Sequence, residues 1–393
     1  MTFIFSQLLL AIAIIGTLAS TVFLALSLLA ARKHAAQRRA ARSSQPSGAL
    51  PPVSVLKPVH GMEPRLRENL ESFFLQDYPA DWEVLFCARH EDDAALQLVR
   101  EISTQYLNVK VRVLTTGEPP WPNAKVYSLE KMVREAQHEV LVISDSDVWV
   151  APNYLREVAP PLNDRKAGVV TCLYRGLPIG GLWARLEAMG MSVEMTSGVL
   201  IANMLEGMKF ALGPTMATRK DVLEKIGGVA QFGDFCADDY VIGNLADAAG
   251  YSNALSAHVI DHVVLSRSWS NSWAHQVRWM KSTRYSRPKG HFGSGLTFAI
   301  PFGILGLGGG MLAGHPALGW ALFLWSLANR MIQSVAIGYG VVRDPRALVF
   351  CWLYPVRDLL GFFLWIASYS GNVIDWRGEK YRLEFGGKMR KVN

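Results

Sequence analysis

Charge is missing from the start of this 393-residue chain: residues 1–31 contain no Lys, Arg, Asp or Glu. A cleaved secretory signal would carry a basic n-region and a shorter apolar core, so the pattern favours a retained anchor. Cysteine is scarce as well. Cys87, Cys172, Cys236 and Cys351 form no CxxC pair and no His spacing completes a zinc site. They read as reduced packing cysteines on the cytoplasmic side. The chain has no P-loop and no GxGxxG run, which removes support for kinase and dehydrogenase readings. No repeat of 20–50 residues appears, which excludes a solenoid. Charged residues make up only 19% against 50% hydrophobic, too apolar for an ordinary soluble protein and suited to one large domain with membrane segments.

The apolar residues that replace charge gather at the two ends. Residues 3–30 form one run, which at ~1.5 Å per helical residue exceeds a ~30 Å hydrocarbon core. Arg32, Lys33, Arg38, Arg39 and Arg42 follow it. Basic residues on one flank stay cytoplasmic, so the N-terminus is expected outside and the chain continues inside. The net charge of +7 then reads as membrane-interface basicity. No recognition motif accompanies it, so no nucleic-acid partner is expected. The expected organisation is an anchor at 1–31, a basic linker at 32–50 ending in Ser43-Ser44-Gln45-Pro46-Ser47-Gly48, a catalytic domain at 51–290, a membrane region at 291–370 and a basic tail at 371–393.

Within the membrane region, stretches near 294–314, 316–340 and 347–369 are each long enough to span. Three crossings would put the tail outside, while Lys380, Arg382, Lys388, Arg390 and Lys391 place it inside. One stretch is therefore expected not to cross. The third, with Pro355, Arg357 and Asp358, is the first candidate for a re-entrant segment; Asn329 and Arg330 make the second the next.

From Pro51 onwards strands at 53–56, 83–87, 109–114 and 140–143 alternate with helices at 66–75, 94–106 and 125–135. That order predicts an α/β domain with a mainly parallel mixed sheet covered by helices. Ligands of such sheets bind beyond the carboxyl ends of the strands, where Asp92 and Asp145 fall.

Three clusters carry chemistry. Asp145-Ser146-Asp147 places two carboxylates at a strand end, a pattern able to hold Mg²⁺ or Mn²⁺ against a donor diphosphate. Asp238-Asp239 opens an amphipathic run. Acids there suit a helix N-terminus, and a like-charged neighbour in a partly dry site would also raise Asp239 toward use as a general base. His275-Gln276-Val277-Arg278-Trp279 lies in a Trp-rich amphipathic segment, consistent with an interfacial helix. Its guanidinium suits phosphate and its indole suits a sugar or lipid surface. Asp92 and Lys125 are weaker candidates for nucleotide and phosphate contacts. In this order the clusters suit sugar transfer from a nucleotide-activated donor, and the apolar flanks point to a lipid acceptor.

These residues, with Ser54-Val55-Leu56-Lys57-Pro58-Val59-His60-Gly61, Asn69-Leu70-Glu71-Ser72-Phe73-Phe74, Asp77-Tyr78-Pro79, Asn123-Ala124-Lys125, Arg219-Lys220-Asp221-Val222-Leu223 and Gly227-Gly228, resemble the ceramide glucosyltransferase family. That family is a membrane branch of the inverting family-2-type glycosyltransferases. The resemblance runs from about 53 to 284 and implies a GT-A-like fold between terminal membrane helices. It implies Asp92 at the nucleotide, Asp145 (with Asp147) at the metal, Asp239 as base, and Arg278 and Trp279 in the final (Q/R)xxRW motif. His275 stands where that motif has Gln or Arg. Trp376-Arg377-Gly378 with Tyr381-Arg382 resembles a tail element of related enzymes. The overall look is most similar to a bacterial branch linked to hopanoid biosynthesis. That branch implies GlcNAc transfer from UDP-GlcNAc to bacteriohopanetetrol; eukaryotic-type relatives imply glucose from UDP-glucose to ceramide. The implied location is the inner membrane, multi-pass, with a cytoplasmic catalytic domain. Oligomeric state is not implied. The rival readings are a processive polysaccharide synthase, which would want more spans, and a non-catalytic scaffold or transporter with a retained sugar-nucleotide domain.

Overall fold

The computed structural model describes residues 2–43, 49–376 and 378–392. Residues 44–48 of the expected linker and Arg377 of the tail motif lie outside the described residues. The chain divides into two compact units: a sheet unit of Arg38–Leu177, Leu205–Val263 and Trp376–Asn393, and a helical unit of Met1–Gln37, Pro178–Met204 and Val264–Asp375. The block 51–290 expected as one domain is thus shared between them.

The sheet unit is built on β1 (Val53–Pro58), β2 (Trp82–Ala88), β3 (Lys110–Thr115) and β4 (Val140–Ser144). All pair in parallel, with Val55 opposite both Val84 and Val142. Buried along most of their length, β1 and β4 are mostly apolar rather than alternating, which is why they are legible in the sequence. Beyond β4 the sheet turns antiparallel through β7 (Thr215–Arg219), β6 (Ala167–Pro178), β8 (Ser252–Val264) and the short β5 (Val148–Trp149). The strand order is β3-β2-β1-β4-β7-β6-β8-β5, a mixed eight-stranded sheet. The antiparallel half has no counterpart in the sequence reading. β6 and β8 carry Thr171, Arg175, His258, Asp261 and His262 among their apolar residues, which breaks the run.

Leu56 sits in register with Leu85 and Ile143. Their side chains pack with Leu129 and Met132 of the Ala124–Glu135 helix and Ile242 of the Asp238–Ala248 helix. Each such buried side chain contributes about 1.5–3 kcal/mol. The chain leaves β1 for β2 on one side and returns as β4 on the other. A crevice therefore opens at the carboxyl ends of β1 and β4, the switch point at which α/β sheets bind ligands.

In the helical unit three helical runs are long and apolar enough to cross a membrane: Ile4–Ala40, Leu182–Glu206 and Arg346–Ala367. The first helix continues to Ser43, so its basic residues from Arg32 onwards lie on helix rather than in a linker. The stretch expected near 294–314 yields a helix of only 13 residues, Ile300–Leu312. Arg346–Ala367, expected to re-enter, meets the length and composition of a span. Leu182–Glu206 has no counterpart in the sequence reading, because Arg185, Glu187 and Glu194 interrupt it. Glycines bring helices together here: a Cβ on Gly310 would lie 2.7 Å from Gly319 Cα, a small-residue contact typical of packed membrane helices.

Candidate active site

At the end of β4 the chain turns through Asp145-Ser146-Asp147 into β5, and fixed donors hold all three carbonyls of that turn. Lys57 Nζ donates to Asp145 O at 2.7 Å, Asn69 Nδ2 to Ser146 O at 3.2 Å, and Val263 N–H to Asp147 O at 2.9 Å. Asp145 N–H in turn donates to Pro214 O at 3.2 Å. The aspartate side chains are therefore presented by a rigid backbone rather than a mobile loop.

Lys57 comes from the carboxyl end of β1, fully buried, its ammonium 3.7 Å from the centre of the Phe73 ring. Burial pulls its pKa down to about 7, against the raising effect of Asp145 and Asp147. The sequence reading did not single it out. A lone lysine in an apolar parallel strand was the available signal, since a buried charge must be paired.

Lys125 stands in the first turn of the Ala124–Glu135 helix. Asn123 caps that helix, its Oδ1 accepting from Lys125 N–H at 3.1 Å and Val126 N–H at 3.4 Å. The same Asn123 reaches Asp238 Oδ1 through Nδ2 at 3.2 Å. Lys125 Nζ lies 2.6 Å from Asp145 Oδ1 and 3.9 Å from Asp238 Oδ2. Burial alone would lower its pKa, but Asp145, Asp238 and Asp239 outweigh burial and raise it. Lys125 therefore stays charged and ties the DxD turn to the second aspartate pair.

Asp238 and Asp239 occupy the first turn of the Asp238–Ala248 helix. A helix N-terminus favours ionised carboxylates. Asp239 is nevertheless pushed up to about 6, by burial first and by the neighbouring Asp238 second, with Lys125 opposing. Two glycines make this placement possible. A Cβ on Gly213 would sit 3.0 Å from Asp239 Oδ2, and one on Gly243 would lie 2.3 Å from Ala211 N. Tyr174 and His262, both missed from sequence, complete the cluster. Burial, then Asp239, Asp147 and Asp145, raise the Tyr174 phenol. His262 Nε2 lies 3.4 Å from Asp147 Oδ2 and its ring lies tilted against that of Tyr174, centroids 5.5 Å apart.

Among the described residues no three His, Cys, Asp or Glu side chains form a ready metal cage. The donors nevertheless suit a hard cation that completes its shell with substrate oxygens. Asp147 Oδ1 is buried with no hydrogen-bond partner, and Asp145 commits one oxygen to Lys125. Four carboxylates against two lysines also leave the cluster acidic.

Asp92 is placed differently from the other candidates. It is exposed, and among the described residues no hydrogen bond or ion pair joins its carboxylate to this cluster. Asp93 is the ordered neighbour: it caps the Ala94–Ser103 helix through Ala95 N–H at 2.8 Å and accepts from Gly61 N–H at 2.9 Å.

In the helical unit, the Trp269–Ser286 helix carries His275, Arg278 and Trp279, with Ser268 as its cap. His275 Nδ1 lies 2.6 Å from Glu187 Oε1, and its ring is 4.4 Å from that of Trp279. Glu187 is 1% exposed, and its Oε2 accepts from Ser266 at 2.5 Å and Ser272 at 2.8 Å. That carboxylate fixes the orientation of the imidazole. A partner 88 residues away leaves no local trace in the sequence.

Residues 12–389 match the model of the glycosyl transferase family 21. Ceramide glucosyltransferase 1 of Caenorhabditis elegans is 28% identical over 355 residues, covering 88% of this chain and 74% of the relative. Ceramide glucosyltransferase 3 of the same organism is 27% identical over 350 residues, 86% and 74%. Among solved structures, the Pyrobaculum calidifontis mannosyltransferase in complex with GDP-Man and Mn²⁺ superposes with a TM-score of 0.51 at 19% identity, covering 90% of this chain and 99% of that one. At that identity the likeness speaks for the fold alone.

Proposed function

The chain belongs to glycosyl transferase family 21, and on that premise we propose that it moves one sugar from a UDP-sugar to a lipid hydroxyl with inversion at the anomeric carbon. The observation that carries the proposal is the Lys125 bridge between Asp145 and the Asp238-Asp239 pair. It sets the Asp145-Ser146-Asp147 turn beside a carboxylate whose pKa of about 6 suits a general base at neutral pH.

In this reading Asp239 accepts the proton of the acceptor hydroxyl. The hydroxyl oxygen attacks C1 of the sugar from the face opposite the diphosphate. The bond between C1 and the phosphate oxygen breaks, and the nucleoside diphosphate leaves with the electron pair. Lys57 holds the Asp145 carbonyl and Lys125 holds the Asp145 carboxylate, so the turn keeps its shape as charge moves to the diphosphate. A divalent cation, Mg²⁺ or Mn²⁺, held by Asp145 and Asp147 would neutralise charge on the departing diphosphate. Arg278 and Trp279 are assigned to the leaving group and the acceptor on the strength of the family motif, and Asp92 to the nucleotide on the same ground.

The names of the relatives support ceramide and glucose as acceptor and sugar; a hopanoid polyol with UDP-GlcNAc is the pair implied by the bacterial resemblance. The basic residues following the first apolar run support a multi-pass inner-membrane protein with the sheet unit in the cytoplasm. The test is UDP release by the purified full chain with UDP-glucose or UDP-GlcNAc, offering ceramide, hopanoid polyol or no lipid. Release that depends on one lipid is expected and disappears in Asp239→Asn. Release that is indifferent to every lipid overturns the proposal.

A further inference from the structure

The helical unit holds a second group of buried polar side chains that the reaction above does not use. Two of its helices contain π-helical segments, Gly190–Met195 and Ser334–Tyr339, and such segments sit mostly at functional positions. The first carries the partner of Arg357, and the second is tied to the helix that follows the first. Glu194, on the first, accepts from Arg357 NH2 at 2.9 Å. Gln333 and Ser334 open the second, and Gln333 Nε2 donates to Ser197 Oγ at 2.8 Å, one turn beyond Glu194. Gly190 leaves the guanidinium its room, since a Cβ there would meet Arg357 NH2 at 2.4 Å.

Arg357 is 4% exposed, and Gln333 and Ser334 are fully buried. Even so, Arg357 Nε and NH1, Gln333 Oε1 and Ser334 Oγ have no hydrogen-bond partner. The neighbouring pair shows what a purely structural ion pair looks like here. Asp358 takes Arg330 on Oδ1 and caps Ala299 and Ile300 N–H on Oδ2, while Arg330 also donates to Asn329. Buried polar atoms left unmatched are costly, and inside apolar helices they mark functional positions.

The chemistry of the unmatched atoms selects a ligand. Glu194 and Asp358 balance Arg357 and Arg330, so a free ion is not required. Two donors on Arg357, an acceptor on Gln333 and a hydroxyl of either sense at Ser334 match a group that both donates and accepts. Hydroxyls and amides do this, and in a unit of apolar helices they arrive on a lipid. We propose that Arg357, Gln333 and Ser334 bind the hydroxyl- or amide-bearing head of a neutral lipid. The proposal rests on the lipid-acceptor reading above and names side chains that would select that acceptor.

The test uses the full chain in nanodiscs, with Gln333→Leu, Ser334→Ala and the double variant, which leave the Arg357–Glu194 pair in place. The probe is a radiolabelled short-chain ceramide, with retention measured apart from turnover. The double variant is expected to retain at least tenfold less ceramide and to show a tenfold higher acceptor KM. Its donor KM is unchanged and its melting temperature shifts little, because Gln333 Oε1 and Ser334 Oγ had no partner and the bond lost is the one from Gln333 Nε2 to Ser197. Equal retention by wild type and double variant overturns the proposal. So does no retention by wild type, or a lower melting temperature with parallel losses for donor and acceptor, the mark of groups that only hold helices or water. Wild type that retains ceramide but glycosylates no lipid overturns the transfer reading and leaves this site standing.

Discussion

Replacing Asp239 with Asn should stabilise the protein while removing its activity. In the folded chain the carboxyl keeps its proton up to about 6, against an ordinary value of 3.8. Below about 3.8 the folded and unfolded chains are both protonated and the group contributes nothing. As pH rises further the unfolded chain releases its proton first, so stability falls with pH until the folded carboxyl ionises near 6. At ~1.36 kcal/mol per pH unit the full loss is about 3 kcal/mol. The carboxylate is only partly buried, and solvent screening reduces this to about 1–2 kcal/mol. Asn has the same shape and no charge, so Asp239→Asn should melt about 2–4 °C higher at pH 7.5, with the gain shrinking towards pH 4. Sugar transfer should fall by about 10²–10⁴, the contribution of a positioned base. Tryptophan-fluorescence melts at the two pH values and a UDP-release assay measure both effects. A lower melting temperature at pH 7.5 would refute the strained-base argument, because it would make Asp239 a stabilising carboxylate. Near-normal turnover would refute its role as base.

Lys125→Met removes the cation that holds Asp239 down, so the acid limb of the kcat/KM–pH profile should move above about 6 and donor KM should rise; an unmoved limb contradicts the coupling. Gly213→Ala puts a methyl 3.0 Å from Asp239 Oδ2, and transfer should drop at least ~10-fold without loss of fold by circular dichroism. Asn123→Ala loses a helix cap worth about 0.5–2 kcal/mol together with its bond to Asp238, so it should lower the denaturation midpoint and weaken transfer together.

Sequence and structure agree where burial writes itself into composition. β1, β2 and β4 are buried parallel strands and appear as mostly apolar runs, and Asp145 and Asp239 fall at the ends of elements where a short motif marks them. The antiparallel strands β6 and β8 are hidden because their buried polar residues, Thr171, Asp261 and His262 among them, are satisfied by partners far away in the chain. The same reason hides Leu182–Glu206: Glu187 and Glu194 look forbidding in a span until His275 and Arg357 are seen beside them. Asn123 is both a cap and a link to Asp238, which no spacing of 115 residues announces. Asp92 is the reverse case, prominent in the motif yet exposed, while Asp93 carries the local order.

The central claim is inverting transfer of one sugar to a lipid hydroxyl. Mass spectrometry of the lipid product, with the anomeric proton read by NMR, tests it most directly. Purified protein is given α-linked UDP-glucose and UDP-GlcNAc with ceramide and hopanoid polyol. A single added sugar in β linkage on one of those lipids is expected. An α-linked product, a ladder of added sugars, or UDP release without any glycosylated lipid would contradict it.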